Sequence, residues 1–137
     1  MKIVLDKGAF EPKKAHKEDA GYDLRSPKTV MLKAHGCICI DTGVHMAIPA
    51  GFYGKLESKS GLNVKRGIVS LGGVIDSGYT GSIVTKLYNL SDRDYMFRRG
   101  DKIVQIIIQP CVGPLMEIVE SLDDTERGGG GFGSSGR

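Results

Sequence analysis

The sequence predicts an all-β fold of the sandwich, jelly-roll or barrel type. Its apolar residues show almost no helical periodicity, and short runs rich in β-branched and aromatic residues recur along the chain. Glycine, proline, aspartate and serine separate these runs. Many short strands with regular turns between them are typical of two-layer or closed antiparallel architectures.

Nine segments have the composition of a strand and are bounded by turn-forming residues. They cover residues 29–33, 37–41, 44–48, 52–58, 68–70, 81–88, 94–97, 102–109 and 115–118. One short helix is predicted at residues 60–65, where Ser60 can cap the first turn. We therefore expect an all-β fold with a single short helix.

The composition fits one globular domain. The chain has 137 residues, of which 40% are hydrophobic, which is enough for one core. The net charge of +3 comes without a dense Lys/Arg tract, so direct nucleic-acid binding is not expected. No apolar run approaches the ~18–20 residues that span a bilayer, and charged residues come too early for a secretory signal. We expect a soluble intracellular protein without a membrane partner, with Cys37, Cys39 and Cys111 as buried reduced thiols.

Residues 127–137 differ in kind from the rest of the chain. They include six glycines, which lose the most backbone freedom on ordering, so no packed element is expected there. A plain linker does not explain Arg127 at the start of this segment or Phe132 among its glycines. We therefore divide the chain into a β domain at residues 1–126 and a glycine-rich flap at residues 127–137 that is mobile until it closes over a ligand.

Two segments have the chemistry of an anion site. Residues 58–61 read Ser-Lys-Ser-Gly at the start of the predicted helix, where N–H groups, hydroxyls and an ammonium can face a phosphate. Arg127 and the Ser-Ser-Gly of residues 134–136 repeat this chemistry. Two such segments in one small protein suggest a polyphosphate ligand, although loops of this composition usually only turn the chain.

Asp76 is a candidate general base. It lies between an apolar run and a glycine-rich turn that contains Tyr79, so we expect a β-hairpin whose tip presents both side chains. A carboxylate held there can activate a water molecule. The alternative is a turn aspartate that bonds its own backbone, and Asp23 is open to the same two interpretations.

Five separated segments resemble, in order, the five motifs of the trimeric dUTPase family. They read Ala-Gly-Tyr-Asp-Leu at 20–24, Ser-Lys-Ser-Gly-Leu at 58–62, Gly-Val-Ile-Asp at 73–76 continuing through Tyr79 and Gly81 to Asn89, Arg-Gly-Asp-Lys-Ile-Val-Gln-Ile at 99–106, and Arg-Gly followed by Gly-Phe-Gly-Ser-Ser-Gly within 127–136. The resemblance implies a jelly-roll-like fold, a homotrimer with active sites shared between subunits, and hydrolysis of dUTP to dUMP and pyrophosphate. That reaction keeps uracil out of DNA and supplies dUMP for dTMP synthesis.

The resemblance also implies roles for individual residues. Asp76 would activate the water that attacks the α-phosphorus, and Tyr79 would pack under the deoxyribose and exclude a 2′-hydroxyl. The backbone around Gly72 and Gly73 would read the uracil edge and leave no room for a thymine methyl group. The phosphates would be held by Lys59, Ser60, Gly61 and Gln105.

The fifth motif would come from a neighbouring subunit. Phe132 would stack on uracil, and the phosphate end of the substrate would be bound by Arg127, Gly133, Ser134 and Ser135. Closing this flap would exclude water and bring donors onto the reacting charge. Mg²⁺ would be the cofactor, bound to the phosphates and supported through water by Asp23.

Some alternatives stay open at this point. The family usually has arginine where this chain has Lys59, which keeps the charge but loses the bidentate fork. A dCTP deaminase of the same fold is the nearest other enzyme, but the segment around Asp76 and the tail around Phe132 favour the pyrophosphatase. A non-catalytic interaction protein is a second alternative, and regulatory protein partners are not excluded.

Overall fold

The structure, a computed structural model, describes residues 1–131, and within that range it is all-β with one short helix. The strands, in chain order, are β1 (Lys2–Leu5), β2 (Tyr22–Arg25), β3 (Val30–Leu32), β4 (Cys37–Asp41), β5 (Val44–Ala47), β6 (Phe52–Ser58), β7 (Ile68–Ser70), β8 (Val74–Ile75), β9 (Val84–Asn89), β10 (Tyr95–Phe97) and β11 (Lys102–Pro110). The helix, α1 (Ser60–Arg66), lies between β6 and β7. The predicted fold class is confirmed.

The strands form two main antiparallel sheets. A four-stranded sheet has the order β2-β11-β6-β8, and a three-stranded sheet has the order β4-β9-β7. The pairs β1–β5 and β10–β3 complete the fold. The long strand β11 lies between β2 and β6, and it pairs with β6 from Val104↔Ser58 to Pro110↔Phe52. This arrangement brings three sequence-distant segments side by side.

Side-chain alternation along the strands builds the core. In β9 the buried residues Thr85, Leu87 and Asn89 alternate with the more exposed ones, as the two-residue period of a strand requires. The fully buried apolar side chains form one cluster: Leu24, Leu32, Ile40, Val44, Ile68, Ile83, Leu87, Phe97, Ile103, Val104 and Ile106. Each contributes roughly 1.5–3 kcal/mol by leaving water, so this cluster dominates the stability of the fold.

A β-bulge interrupts the alternation at the start of β11. Ile103 and Val104 are both completely buried, and the pairing with β2 shifts register between Lys102 and Val104. The extra residue of a bulge lets two successive side chains share the core. Lys102, at the start of this irregularity, extends to the carboxylate of Asp23.

The observed strands agree with most of the predicted ones. Those at 37–41, 52–58 and 68–70 have the predicted bounds, and five others differ by a few residues at their ends. The prediction missed β1, β2 and β8. The two-residue strand β8 gives almost no sequence pattern, and it exists because it pairs with the middle of β6.

The strand predicted at residues 115–118 is wrong. Residues 111–130 are exposed throughout, and Leu115 and Ile118 are completely so. A strand needs a neighbouring edge to satisfy its backbone groups, and within residues 1–131 this segment has none.

The prediction of a β-hairpin around Asp76 is also wrong, because the strands on either side of Asp76 do not pair with each other. Strand β8 pairs with β6 in the larger sheet, whereas β9 pairs with β4 and β7 in the smaller sheet. Residues 76–83 therefore connect two sheets. The local pattern shows that a turn follows Ile75, but the pairing is decided by strands that are distant in sequence.

The cysteines are free and exposed, contrary to the expectation of buried thiols. Cys37 and Cys39 occupy the outward positions of β4, while Ile38 and Ile40 point toward the core. The strand period therefore assigns the isoleucines to the interior. Within residues 1–131 no helix has the length and apolar character needed to cross a membrane.

Candidate active site

A buried carboxylate between two lysines organises one part of the site. Asp23, in β2, is only 3% exposed, and its two oxygens accept hydrogen bonds from Lys59 and, at 2.6 Å, from Lys102 Nζ. Burial raises the pKa of Asp23, but the hydrogen bonds from Lys102 and Lys59 outweigh it and hold the pKa below its usual value. Two ammoniums and one carboxylate leave this cluster with a net positive charge.

The sheet brings three of the predicted segments together at this cluster. Gln105 of β11 lies opposite Asp23 on one side and Glu57 on the other. Its side-chain amide donates to the carbonyl oxygen of Ser58 at 3.4 Å. Gly21 packs closely against this side chain, because a Cβ atom at this position would lie 2.6 Å from Gln105 Oε1 and 3.1 Å from Gln105 Cβ. Asp23, Lys59 and Gln105 are therefore neighbours in the folded chain.

Helix α1 begins at the edge of this cluster. Lys59 is the residue before the helix and has an extended backbone with φ −72° and ψ 126°. The backbone N–H groups of Leu62 and Asn63 donate to its carbonyl oxygen at 3.0 and 2.9 Å. A Cβ atom on Gly61 would meet nothing within 4 Å, so the surface beside Ser60 and Gly61 is open.

The predicted helix is confirmed, but Ser60 is not its cap. Ser60 is the first helical residue, Lys59 occupies the capping position, and no side chain caps the helix. A serine caps from an extended backbone just outside the helix, and Ser60 already lies inside it. The Ser60 hydroxyl is therefore not engaged as a cap.

Asp76 lies on an exposed turn directly after the buried Ile75. The Tyr79 N–H donates to the Asp76 carbonyl oxygen at 3.0 Å and closes this turn. Among residues 1–131 the Asp76 carboxylate accepts no hydrogen bond and forms no ion pair. Within residues 1–131 the Asp76 side chain therefore does not bond its own backbone, which was the alternative interpretation.

Tyr79 folds back over the residues that follow it. Its hydroxyl donates to the Ser82 carbonyl oxygen at 2.9 Å, and its side chain is about half exposed. A Cβ atom on Gly81 would collide with the end of the Tyr79 side chain as it lies here, so glycine allows this close approach. The ring thus forms one wall of the turn that carries Asp76.

The backbone before Asp76 is pressed against β6. Gly73 has φ +103°, and its carbonyl oxygen accepts from the Leu56 N–H at 2.8 Å. A Cβ atom on Gly73 would lie 2.6 Å from Leu56 Cβ. Both the positive φ and the close contact require glycine at this position.

The turn with Asp76 and the phosphate-type cluster lie at opposite ends of β6. Ile75 pairs with Gly54, so antiparallel pairing puts Asp76 level with Tyr53, near the start of β6. Lys59 follows the last residue of β6. The six residue steps from Tyr53 to Lys59 span roughly 20 Å of strand. The structure of one chain therefore does not bring Asp76 beside Lys59, Ser60 and Gln105.

Only the start of the predicted flap is described. Arg127 donates through Nε to the Gly130 carbonyl oxygen at 2.8 Å, and Gly128 donates to Thr125. The remaining predicted flap residues lie outside the described residues: Phe132, Gly133, Ser134 and Ser135.

Sequence reasoning missed two features. Lys102 received no role, although it stands three residues before Gln105, because only the sheet reveals that it reaches Asp23. Asp41, which accepts a hydrogen bond from Ser82 in the connection after Asp76, is also not identifiable from the sequence, since the two residues are 41 positions apart.

The described residues do not form a cage for a metal ion. Among residues 1–131 no three His, Cys, Asp or Glu side chains lie close enough to hold one. Both oxygens of Asp23 already pair with ammoniums. Mg²⁺ keeps several waters and often binds through substrate phosphates. A magnesium ion held mainly by the phosphates of a substrate would need few ligands from the protein.

The fold and the site together define an all-β protein with a cationic, phosphate-type cluster and a separate exposed carboxylate on a glycine-rich turn. A family model described as dUTPase matches residues 9–136. The deoxyuridine 5′-triphosphate nucleotidohydrolase of Paramecium bursaria Chlorella virus 1 is 44% identical over 132 residues, covering 96% of this chain and 94% of the relative. The enzyme of the same name from Saccharomyces cerevisiae is 37% identical and covers 99% and 94%.

Solved structures agree with this assignment. The dUTPase of Staphylococcus bacteriophage 80alpha with dUPNHPP has a TM-score of 0.92 and 33% identity, covering 99% of this chain and 98% of that one. A mutant dUTPase of phage phi11 of S. aureus, described with a structural Mg(II) ion, has a TM-score of 0.81 and 30% identity, covering 88% and 96%. This chain belongs to the dUTPase family.

Proposed function

We propose that this protein hydrolyses dUTP to dUMP and pyrophosphate, with Asp76 activating the water that attacks the α-phosphorus. The observation that carries the proposal is that the chain has both an exposed carboxylate, Asp76, and a separate cationic cluster around Asp23. A general base needs an acceptor that is not already engaged, and the Asp76 carboxylate has no partner among residues 1–131. The relatives' common name describes the same hydrolysis.

The phosphates bind at the cluster around Asp23. Lys59 supplies the charge, and Ser60, Gly61 and the Gln105 amide supply nearby polar groups at the open start of α1. Asp23 holds the two ammoniums in place through its buried, ionised carboxylate. A lysine here binds phosphate as a point charge, without the bidentate geometry of arginine.

Substrate selection depends on the turn between β8 and β9. Tyr79 packs under the deoxyribose and leaves no space for a 2′-hydroxyl, while the backbone around Gly73 faces the uracil edge. The contacts of Gly73 with Leu56 and of Gly81 with Tyr79 support this role, because they make the wall close-fitting. Rejecting a methyl or hydroxyl group by shape needs such a wall.

The active sites are shared between subunits of a homotrimer. The support is the separation of roughly 20 Å along β6 between Asp76 and Lys59 of one chain. A neighbouring copy can supply the Lys59 that each Asp76 lacks. The exposed apolar side chains of residues 111–122 also favour burial against a partner. The flap at 127–137 completes the site of a neighbour, with Phe132 on uracil and Arg127, Gly133, Ser134 and Ser135 on the phosphates.

Magnesium accompanies the substrate. When bound, Mg²⁺ would supply positive charge to the triphosphate, and Asp23 would support it through water because lysines occupy both carboxylate oxygens. The intracellular location and regulatory protein partners stay predictions from the sequence.

Measuring products from dUTP, dCTP and UTP tests the proposal. Purified protein with Mg²⁺ is incubated with each nucleotide, and pyrophosphate and ammonia are followed separately. We expect pyrophosphate from dUTP only and no ammonia. Ammonia from dCTP would identify a deaminase, and no product from any nucleotide would favour a non-catalytic interaction protein.

A further inference from the structure

His45 joins the N-terminal segment to the connection that follows Asp76. It lies in β5, opposite Val4 of β1. Its Nδ1 is 2.8 Å from the Thr80 carbonyl oxygen, and its Nε2 is 3.2 Å from Asp6 Oδ1. Thr80 directly follows Tyr79, so one imidazole ring connects the end of β1 with the turn of the active site.

Both partners of the His45 ring are hydrogen-bond acceptors. A neutral imidazole has one N–H and can donate to only one of them, whereas an imidazolium has two and satisfies both. The geometry therefore favours the charged ring. The backbone hydrogen bond to Thr80, the hydrogen bond to Asp6 and the negative charge of Asp41 raise the pKa of His45.

The other charged groups around this ring are few. Asp6 follows β1, Asp41 ends β4, and Lys2 lines a cavity of about 270 Å³ shared with His45 and Thr80. Lys28 lies near Asp41. The two carboxylates closest to the ring favour its positive charge.

Beyond Tyr79, the contact of His45 with the Thr80 carbonyl oxygen comes first along the chain, and further hydrogen bonds hold the residues that follow. Ser82 donates to the carboxylate of Asp41, and the Ile83 N–H donates to the Val44 carbonyl oxygen at 2.9 Å. On the other side, β8 fixes Ile75 to β6. Asp76 and Tyr79 lie on the stretch between these two fixed ends.

We propose that His45 is a positioning residue for the turn that carries Asp76 and Tyr79, and that its imidazolium form ties this turn to Asp6 and strand β1. The inference rests on the proposed hydrolysis of dUTP. The KM for dUTP should then depend on pH through His45, a residue that is not one of the reacting groups. Since the tie acts next to the wall formed by Tyr79, it affects substrate binding more than the chemical step.

The sign of the pH dependence follows from the raised pKa of His45. The tie is complete below the ordinary histidine value of about 6.5 and is lost as the pH rises through the higher value in the folded protein. In that window the KM for dUTP of the wild-type protein should rise, and a variant without the imidazole should not show this step.

Two variants of His45 and one of Asp6 test the proposal. In His45→Ala we expect KM to rise roughly three- to tenfold at pH 6, with kcat within about twofold, because a charge-assisted hydrogen bond is lost. His45→Gln supplies an uncharged donor and should recover part of the affinity at every pH. In Asp6→Asn, the rise of KM with pH should occur at lower pH than in the wild-type protein.

His35→Asn is the matched control. His35 also pairs with an aspartate, Asp92, at 2.8 Å, but it lies in another turn. Its φ of +56° is tolerated by asparagine. This variant should keep the wild-type KM profile. A profile of His45→Ala that coincides with the wild-type profile would overturn the proposal.

An NMR titration tests the tie without any activity. The His45 ring should titrate above the ordinary value, its titration should shift down in Asp6→Asn, and the amide signals of residues 80–82 should follow it. Amide signals that do not respond would refute the tie. Failure of the wild-type protein to hydrolyse dUTP would refute the proposed function and leave this titration as the separate test.

Discussion

Two aspartates show how surroundings assign different tasks to the same side chain. Asp23 is buried between two ammoniums, which keep its carboxylate charged and fully engaged. Asp76 is exposed on a turn, and its carboxylate engages no partner among residues 1–131. A carboxylate in the first environment organises cations, and one in the second is free to accept a proton from water.

Replacing Asp76 by asparagine should abolish turnover. We expect kcat to fall by roughly 10²–10⁴-fold, the usual contribution of a general base, because an amide cannot accept the proton. The dissociation constant of a non-hydrolysable dUTP analogue should stay within about threefold of wild type. Steady-state kinetics and calorimetry check both values.

The matched control for this prediction is Asp92→Asn, an exposed aspartate in the segment that follows β9. It should keep full activity. Turnover of Asp76→Asn at the control's rate would refute the assignment of the base.

Shortening Tyr79 should weaken the exclusion of ribonucleotides. In Tyr79→Ala the ratio of kcat/KM for dUTP over UTP should drop by at least roughly tenfold, because the wall under the sugar is lost. Tyr79→Phe keeps the ring and loses only the hydrogen bond to Ser82, so it should keep most of the discrimination. If both variants discriminate like the wild type, the ring has no steric role.

At the scale of elements, glycines fix the strand and turn that carry Asp76. Strand β8 has only two residues, and its position depends on the contact of Gly73 with Leu56 in β6. The following connection depends on the contact of Gly81 with Tyr79. Short elements of this kind are placed by tertiary contacts and not by local preference.

Gly73→Ala should destabilise the fold. The positive φ and the contact at 2.6 Å with Leu56 Cβ together predict a loss of roughly 2–4 kcal/mol in the free energy of unfolding. Chemical denaturation measures this loss. Gly78→Ala, where a Cβ atom meets nothing within 4 Å, is the control and should change stability by less than about 0.5 kcal/mol. Equal stabilities of the two variants would contradict the packing argument.

Deleting residues 127–137 should separate folding from catalysis. Within residues 1–131 all strands lie between Lys2 and Pro110, so the truncated protein should keep its circular dichroism spectrum. Its oligomeric state, read from the mass in solution, should also stay the same. The loss of charge-assisted contacts to the phosphates should reduce kcat/KM by roughly 10–100-fold. Replacing the same residues with a Gly/Ser linker is the control for length. A fully active truncation would reject the flap.

At the scale of the whole molecule, one chain holds two separated halves of a site. Antiparallel pairing of β6 with β8 directs Asp76 toward one end of the sheet, while β6 itself carries Lys59 to the other end. Catalysis by a single chain would need both halves at one substrate. We propose that an assembly of copies meets this need by joining the Asp76 turn of one chain to the Asp23 cluster of another.

Mixing two inactive variants should restore activity. Asp76→Asn and Lys59→Gln damage different halves, so hybrids contain sites in which both halves are wild type. Random mixing in a trimer restores roughly a quarter of the sites. The measurement is dUTP hydrolysis by co-expressed, differently tagged chains, compared with each variant alone. Activity no higher than the parents would show that both halves come from one chain.

The sequence by itself predicted the all-β class and the short helix at Ser60, both of which the structure confirms, and it named the residues of the candidate site. Strand alternation and turn residues are local signals, and the motif segments carry their chemistry in their own side chains. The tertiary structure decided which strands pair, since the connection after Asp76 joins two sheets and the segment at 115–118 finds no partner edge. It also decided which charges meet, as Lys102 with Asp23 and His45 with Asp6 and Thr80. Strand pairing and ion pairs join residues that lie far apart in the chain. A local sequence pattern carries no information about which distant residues will meet.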